Sequence, residues 1–127
     1  MNYVHVVALL AVTQFLFFGF YVGRARGKYH IKAPAVSGHE MFEREYRVQM
    51  NTLEQLICFL PALLIAGQYW SQVFVAAVGV VYLVGRFLYR KAYVSDPGSR
   101  ALGFVLTFVP TVVLVAAGLI GALRAGA

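Results

Sequence analysis

The sequence predicts an all-α integral membrane protein, built as a four-helix bundle. Of its 127 residues, 61% are hydrophobic and only 13% are charged. A water-soluble domain of this length would need more polar side chains to cover its surface. Four apolar stretches are each close to the roughly 20 residues that a helix needs to cross the hydrocarbon core. Transmembrane helices are therefore predicted at about 3–22, 42–67, 73–93 and 97–123, in a single domain that covers residues 1–127.

The first predicted helix is followed by a basic loop. No basic segment precedes this helix, so it is expected to stay in the membrane and not to be removed as a secretory signal. The loop, residues 24–40, contains Pro34 and Gly38, which disfavour a continuing helix. Helix two begins in a polar stretch and ends in an apolar one, where Pro61 is expected to kink it.

The later connections are short. The uncharged turn 68–72 carries Tyr69 and Trp70, which suit the membrane interface. Helix three is expected to end before Asp96, the predicted N-cap of helix four, with Pro97 as the first helical residue. Pro110 is a second candidate kink.

Small residues give two further expectations about packing. The single cysteine, Cys58, lies in an apolar run and is expected to pack as a small hydrophobic side chain. Glycines spaced every four residues in helix one and just beyond it predict close contact with another helix. These glycines are Gly19, Gly23 and Gly27.

The distribution of charge predicts the topology. Ten of the eleven Lys and Arg residues lie on or beside the loops after helices one and three, and only Arg124 lies elsewhere. The positive-inside rule places both loops in the cytoplasm and both termini on the opposite side. Because membrane spans separate the basic residues, the net charge of +6 indicates membrane lipids or an anionic substrate as partners, and no nucleic acid.

Polar residues cluster where the predicted helices meet the basic loops. Arg47, Asn51 and Glu54 are spaced i, i+4 and i+7, which places them on one helix face. Such groups inside a span are costly unless they are paired or hydrated. Taken alone, Arg86, Arg90 and Lys91 are expected to reach the lipid headgroups. The helix-two residues favour a polar, basic binding pocket over a structural ion pair or a helix–helix contact. The cluster is completed by Arg86, Tyr89, Arg90, Tyr93 and Arg100.

Metal chemistry is not indicated by the sequence. The three histidines are scattered, and no Cys/His pair has the spacing of metal ligands. No metal site is therefore predicted.

Two stretches resemble one known family of membrane proteins. The stretch from Glu43 to Glu54 reads E-R-x-x-R-x-x-x-N-x-x-E. It resembles the signature of the MAPEG family, the membrane-associated proteins in eicosanoid and glutathione metabolism. The stretch Gly85–Tyr89, followed by Tyr93 and Arg100, is similar to the third and fourth helices of the branch that contains microsomal glutathione transferases and leukotriene C synthases.

This resemblance implies a homotrimer that binds glutathione as co-substrate between neighbouring subunits. It further implies that Arg100 stabilises the glutathione thiolate as the catalytic residue, and that Arg26 and Gln49 reach the site from the adjacent subunit. Arg86 is a further candidate ligand of glutathione. The remaining implied glutathione ligands are Arg47, Asn51, Glu54, Tyr89 and Tyr93.

The function implied by the resemblance is transfer of glutathione to a lipophilic electrophile that arrives from the bilayer, with reduction of lipid hydroperoxides as an added activity. A non-catalytic lipid-binding scaffold of the same family is the alternative. A small four-helix drug exporter is disfavoured because helix one contains no acidic residue. Gln55 and Gly27 depart from the leukotriene-synthase pattern, where a tyrosine and a second arginine are expected, so an eicosanoid substrate is not indicated.

Overall fold

The computed structural model describes residues 1–126 and consists of four long α-helices. They are α1 (Tyr3–Tyr29), α2 (Glu40–Tyr69), α3 (Gln72–Ser95) and α4 (Ala101–Ala125), with a short 3-10 turn at Pro97–Ser99 before α4. Each of the four is long and apolar enough to cross a membrane. The predicted all-α, four-helix membrane fold is thereby confirmed.

Two helix boundaries differ from those predicted. α1 continues past residue 22 to Tyr29, so that Arg24, Arg26 and Lys28 lie on its last two turns and not in a loop. Arginine, alanine and lysine favour helix, and the helix ends only where His30 adopts a left-handed conformation and its N–H donates to the Arg26 carbonyl.

The start of α4 is the second difference. Asp96 caps as predicted, but its side chain accepts from the Gly98 N–H and so caps the 3-10 turn that begins at Pro97. The α-helix itself begins at Ala101, with Arg100 at its N-cap position. Arg100 therefore lies immediately before the positive end of the helix dipole of α4.

The core lies in the middle of the bundle, where all four helices contribute fully buried side chains. Ala11, Leu63, Val75 and Leu114 come from α1, α2, α3 and α4 respectively. Beside them the Phe59 and Tyr82 rings stack with centroids 3.7 Å apart, burying much aromatic area between α2 and α3. Large apolar side chains on the outer surface remain exposed, as a lipid solvent requires.

Glycines set the closest approach between α3 and α4. A Cβ added to Gly103 would lie 2.4 Å from the backbone nitrogen of Tyr89, and one added to Gly85 would lie 2.7 Å from the Leu106 carbonyl carbon. Only glycine allows the two backbones to come this close. The backbone of Tyr89, a candidate glutathione ligand, is therefore held directly against α4.

The two expectations about small residues are only partly met. Gly19 does contact another helix, since an added Cβ would lie 2.6 Å from Gln49 Nε2. The expectation is wrong for Gly23 and Gly27, which have no other atom within 4 Å of an added Cβ. It is also wrong for Cys58, which is exposed because its side chain lines an open apolar cavity between α2 and α4.

The alternation of four spans puts the α1–α2 loop and the α2–α3 turn at opposite ends of the bundle. Cysteines introduced at Ser37 and at Ser71 are therefore expected to react with an impermeant thiol reagent from opposite sides of the membrane. Both variants should carry Cys58→Ala, because the native thiol is exposed. Labelling of both positions from one side would contradict the four-span topology, and labelling of Ser37→Cys from outside would reverse the predicted orientation.

Candidate functional site

Arg86 is the centre of a polar cluster near one end of the bundle. Its side chain is fully buried. Its Nε donates to Thr107 Oγ1 at 3.0 Å, and its Nη1 donates to Asn51 Oδ1 at 2.8 Å and to Thr52 Oγ1 at 3.1 Å. The guanidinium thus joins α2, α3 and α4 by charge-assisted hydrogen bonds. The alternative interpretation, in which this arginine reaches the lipid headgroups, is wrong for Arg86.

Arg47 and Glu54 flank Asn51 on the same face of α2. Arg47 Nη2 lies 3.4 Å from Glu54 Oε1, and the two side chains are 50% and 60% exposed. An ion pair this exposed contributes at most about 1 kcal/mol to stability. The Arg47–Glu54 pair therefore contributes little to the stability of the fold. Both charged groups are exposed and can contact a ligand.

Two tyrosines of α3 extend this face towards the end of the bundle. The rings of Tyr89 and Tyr93 stack with centroids 5.6 Å apart, and the Arg86 guanidinium lies 4.3 Å from the Tyr89 ring centroid. Tyr93 and Arg47 line one open cavity of about 480 Å³. This cavity therefore lies between the first turns of α2 and the last turns of α3.

Arg100 lies at the same end of the bundle, but its side chain is not directed at the cluster around Arg86. It is exposed, and its Nη1 donates to the Pro97 carbonyl at 2.7 Å. Pro97, whose carbonyl accepts this hydrogen bond, lines the same cavity as Arg47 and Tyr93. The fold thus brings Arg100 near the tyrosines without a direct hydrogen bond to the cluster.

Arg26 and Gln49 lie on the other side of α2. The guanidinium of Arg26 lies 4.8 Å from the centroid of the Phe42 ring, and its Nη1 donates to the Ala35 carbonyl at 2.7 Å. Gln49 faces Gly19 of α1. Because each residue advances about 100° around a helix, Gln49 is nearly opposite Arg47. Within one chain, these two residues do not join the cluster around Arg86.

Several polar partners were not predicted from the sequence. Thr52 and Thr107 accept hydrogen bonds from Arg86. Because Thr107 is a polar residue within the apolar stretch of α4, its position in the sequence could have indicated a buried polar partner. Glu45 accepts two hydrogen bonds from Arg90, at 3.2 and 2.8 Å. Arg90 is thus held in a bidentate ion pair, and the headgroup interpretation is wrong for it as well.

The fold and this cluster define a class: a multi-pass, all-α membrane protein with a basic, polar site near one end of its bundle. The chain belongs to the MAPEG family, whose model matches residues 4–120. This membership confirms the resemblance seen in the two sequence motifs.

Individual relatives cover most of the chain. It is 38% identical to Microsomal glutathione S-transferase 2 of Homo sapiens over 115 residues, which are 91% of this chain and 78% of that protein. It is 41% identical to an uncharacterized protein of Synechocystis over 117 residues, 92% of this chain and 85% of the relative. Identity to Leukotriene C4 synthase of Cavia porcellus is 36% over 94 residues, covering 74% of this chain and 63% of that protein. One of these relatives is named as a glutathione S-transferase.

Proposed function

We propose that this protein is a membrane-bound glutathione transferase that conjugates glutathione to lipophilic electrophiles, with lipid hydroperoxides as further substrates. The observation that carries the proposal is the polar face of α2. There Arg47 pairs with Glu54 and lines an open cavity together with Tyr93, and Asn51 accepts from Arg86. The family of the chain and the names of its relatives support the same chemistry.

The charges on this face match those of glutathione, which has two carboxylates and one ammonium group. Arg47 would bind a carboxylate, and Glu54 would bind the ammonium. Asn51 Oδ1 accepts from Arg86, so the Asn51 amide nitrogen would be turned outward as a donor. Arg86 would therefore act chiefly by holding Asn51 in place, because three of its hydrogen bonds are made within the protein.

The family resemblance implies that Arg26 and Gln49 are glutathione ligands in a homotrimer, and their position in this chain is compatible with that arrangement. Both residues lie across α2 from Arg47, so a single chain cannot direct all of them at one ligand. A neighbouring copy could present its Arg26 and Gln49 to the Arg47 face of this chain. Each glutathione site would then form between two subunits, and a closed ring of three copies would contain three sites.

The test is glutathione affinity in variants of the polar face. Arg47→Ala and Glu54→Ala are each expected to weaken binding by about 2 kcal/mol, or roughly thirtyfold in Kd, because each leaves a charge of the ligand without its partner. Titration calorimetry on the purified protein would measure this. Lys91→Ala is the matched control, since it removes an exposed cation at the same end of the bundle.

Unchanged affinity in both variants would contradict the assignment of the polar face to glutathione. A panel of lipophilic electrophiles then separates the enzyme from the lipid-binding scaffold. Glutathione-dependent turnover of at least one electrophile is expected, whereas binding of apolar ligands with no turnover would favour the scaffold.

A further inference from the structure

A groove between α1 and α3 takes no part in the proposed glutathione site. It consists of two neighbouring cavities. The first, of about 180 Å³, lies at the basic end and is lined by Arg24, Lys28 and Arg90 among others. The second, of about 300 Å³, lies closer to the middle of the membrane span and is almost entirely apolar, with Leu10, Phe17 and Phe87 in its walls. We refer to the pair as the α1–α3 groove.

The two cavities are adjacent along both helices. On α1, Phe17 lines the apolar cavity and Tyr21 lines the basic one, and their rings meet edge to face with centroids 5.1 Å apart. On α3, Phe87 lines the apolar cavity and Arg90 lines the basic one. The polar and apolar parts of the groove are therefore about one helical turn apart.

The basic cavity carries a net positive charge. Glu45 is the acidic side chain in its wall, and both of its oxygens accept from Arg90. Arg90 is further fixed over the Tyr21 ring, 3.5 Å from its centroid. Arg24 and Lys28 are exposed, one turn apart on α1, and form no ion pair within residues 1–126. Two cations thus remain available at the mouth of the groove.

We propose that the α1–α3 groove binds a phospholipid with an anionic headgroup. The phosphate would lie between Arg24 and Lys28, the glycerol backbone beside Tyr21, and an acyl chain against Phe17 and Phe87. A membrane lipid fits better than a free anion because the apolar part of the groove is open to the side, where Leu10, Phe17 and Phe87 are exposed. None of the residues that line the two cavities is a proposed glutathione ligand, so the groove is separate from the proposed glutathione site.

The headgroup is tested by native mass spectrometry of the purified protein with phosphatidylglycerol or phosphatidylcholine of the same chain length. Wild type is expected to bind phosphatidylglycerol in preference. Arg24→Gln with Lys28→Gln is expected to weaken that binding about thirtyfold, because each basic residue near a lipid headgroup contributes about a factor of five. The matched control, Lys32→Gln with Lys91→Gln, removes the same charge at the same end and is expected to retain the preference.

Equal losses in the two double variants would show attraction to overall charge and would overturn the proposed site. Equal binding of phosphatidylglycerol and phosphatidylcholine by the wild-type protein would also overturn the proposed site. All four substitutions change exposed side chains, so helical circular dichroism should remain that of wild type.

The acyl chain is tested by filling the apolar cavity. Thr13 lines this cavity and is exposed. Thr13→Phe is expected to weaken binding of long-chain phosphatidylglycerol at least tenfold and to leave binding of its dihexanoyl analogue unchanged. Inorganic phosphate at millimolar concentration is expected not to displace the long-chain lipid. Displacement by phosphate, or an unchanged affinity in Thr13→Phe, would show a simple anion site and overturn the lipid proposal.

Discussion

Arg100→Ala is expected to leave glutathione bound but to remove most of its thiolate at neutral pH. A guanidinium stays protonated at any working pH, so Arg100 would act as a fixed positive charge and not as a proton carrier. Its place immediately before α4 adds the positive potential of the helix N-terminus. Both effects favour the anion and lower the pKa of the glutathione thiol below the ordinary thiol value of about 8.5.

The measurements are the thiolate ultraviolet absorbance and the pH dependence of turnover. In wild type the thiol should already be ionised at pH 7, so turnover should change little between pH 7 and 9. In Arg100→Ala the thiol pKa should return towards its ordinary value, turnover at neutral pH should fall by about a hundredfold, and part of it should recover as the pH rises. The Kd for glutathione at pH 7 should rise by only about tenfold, because losing the charge that stabilises the bound thiolate also weakens binding of the ionised ligand.

Three controls accompany this variant. Arg100→Lys retains the charge and should restore most of the thiolate signal, while Lys91→Ala should behave as wild type. Tyr93→Phe should lower the signal less than Arg100→Ala, since a hydroxyl stabilises a thiolate less than a charge does. A normal thiolate signal and normal turnover in Arg100→Ala would move the catalytic role away from Arg100.

Gly103→Ala is expected to destabilise the bundle by about 2–3 kcal/mol. Its Cβ would lie 2.4 Å from the Tyr89 nitrogen and 2.5 Å from the Tyr89 Cα. A side chain could rotate out of the way, but a helix backbone cannot, so α3 and α4 must move apart and lose packing. The displaced Tyr89 should also weaken glutathione binding.

This prediction can be measured by unfolding in mixed detergent micelles, followed by helical circular dichroism. Gly118→Ala is a graded control, because its Cβ would meet Ile65 Cγ2 at 3.3 Å, a contact that a small shift relieves. It should cost less than about 1 kcal/mol, roughly the lower limit for overpacking. Gly27→Ala meets no atom within 4 Å, so it should be neutral or slightly stabilising through helix propensity. Equal stability of all three variants would show that the close approach of α3 and α4 is not required.

Local patterns in the chain predicted the spans and one face of the site. Four apolar stretches of sufficient length specify membrane helices because a lipid solvent penalises every other arrangement of the backbone. The shared face of Arg47, Asn51 and Glu54 followed from helical periodicity alone, since residues three and four apart stack on one side. The two motifs of the family also lie within short stretches, one in α2 and the other from α3 to the start of α4, which is why they could be recognised without a structure.

Contacts between helices could not be predicted in the same way. Whether an arginine near a helix end reaches the lipid surface or is buried depends on the polar groups that other helices offer, and for Arg86 these are Thr52 and Thr107. Gly19, Gly23 and Gly27 share one spacing, yet only Gly19 has a helix packed against it. The separation of Arg26 from Arg47 likewise depends on which side of α2 faces α1. The sequence by itself determined the helices and their polar faces, because these depend on local hydropathy and periodicity. Only the tertiary structure decided which of those faces meet, because that depends on how closely the backbones can pack.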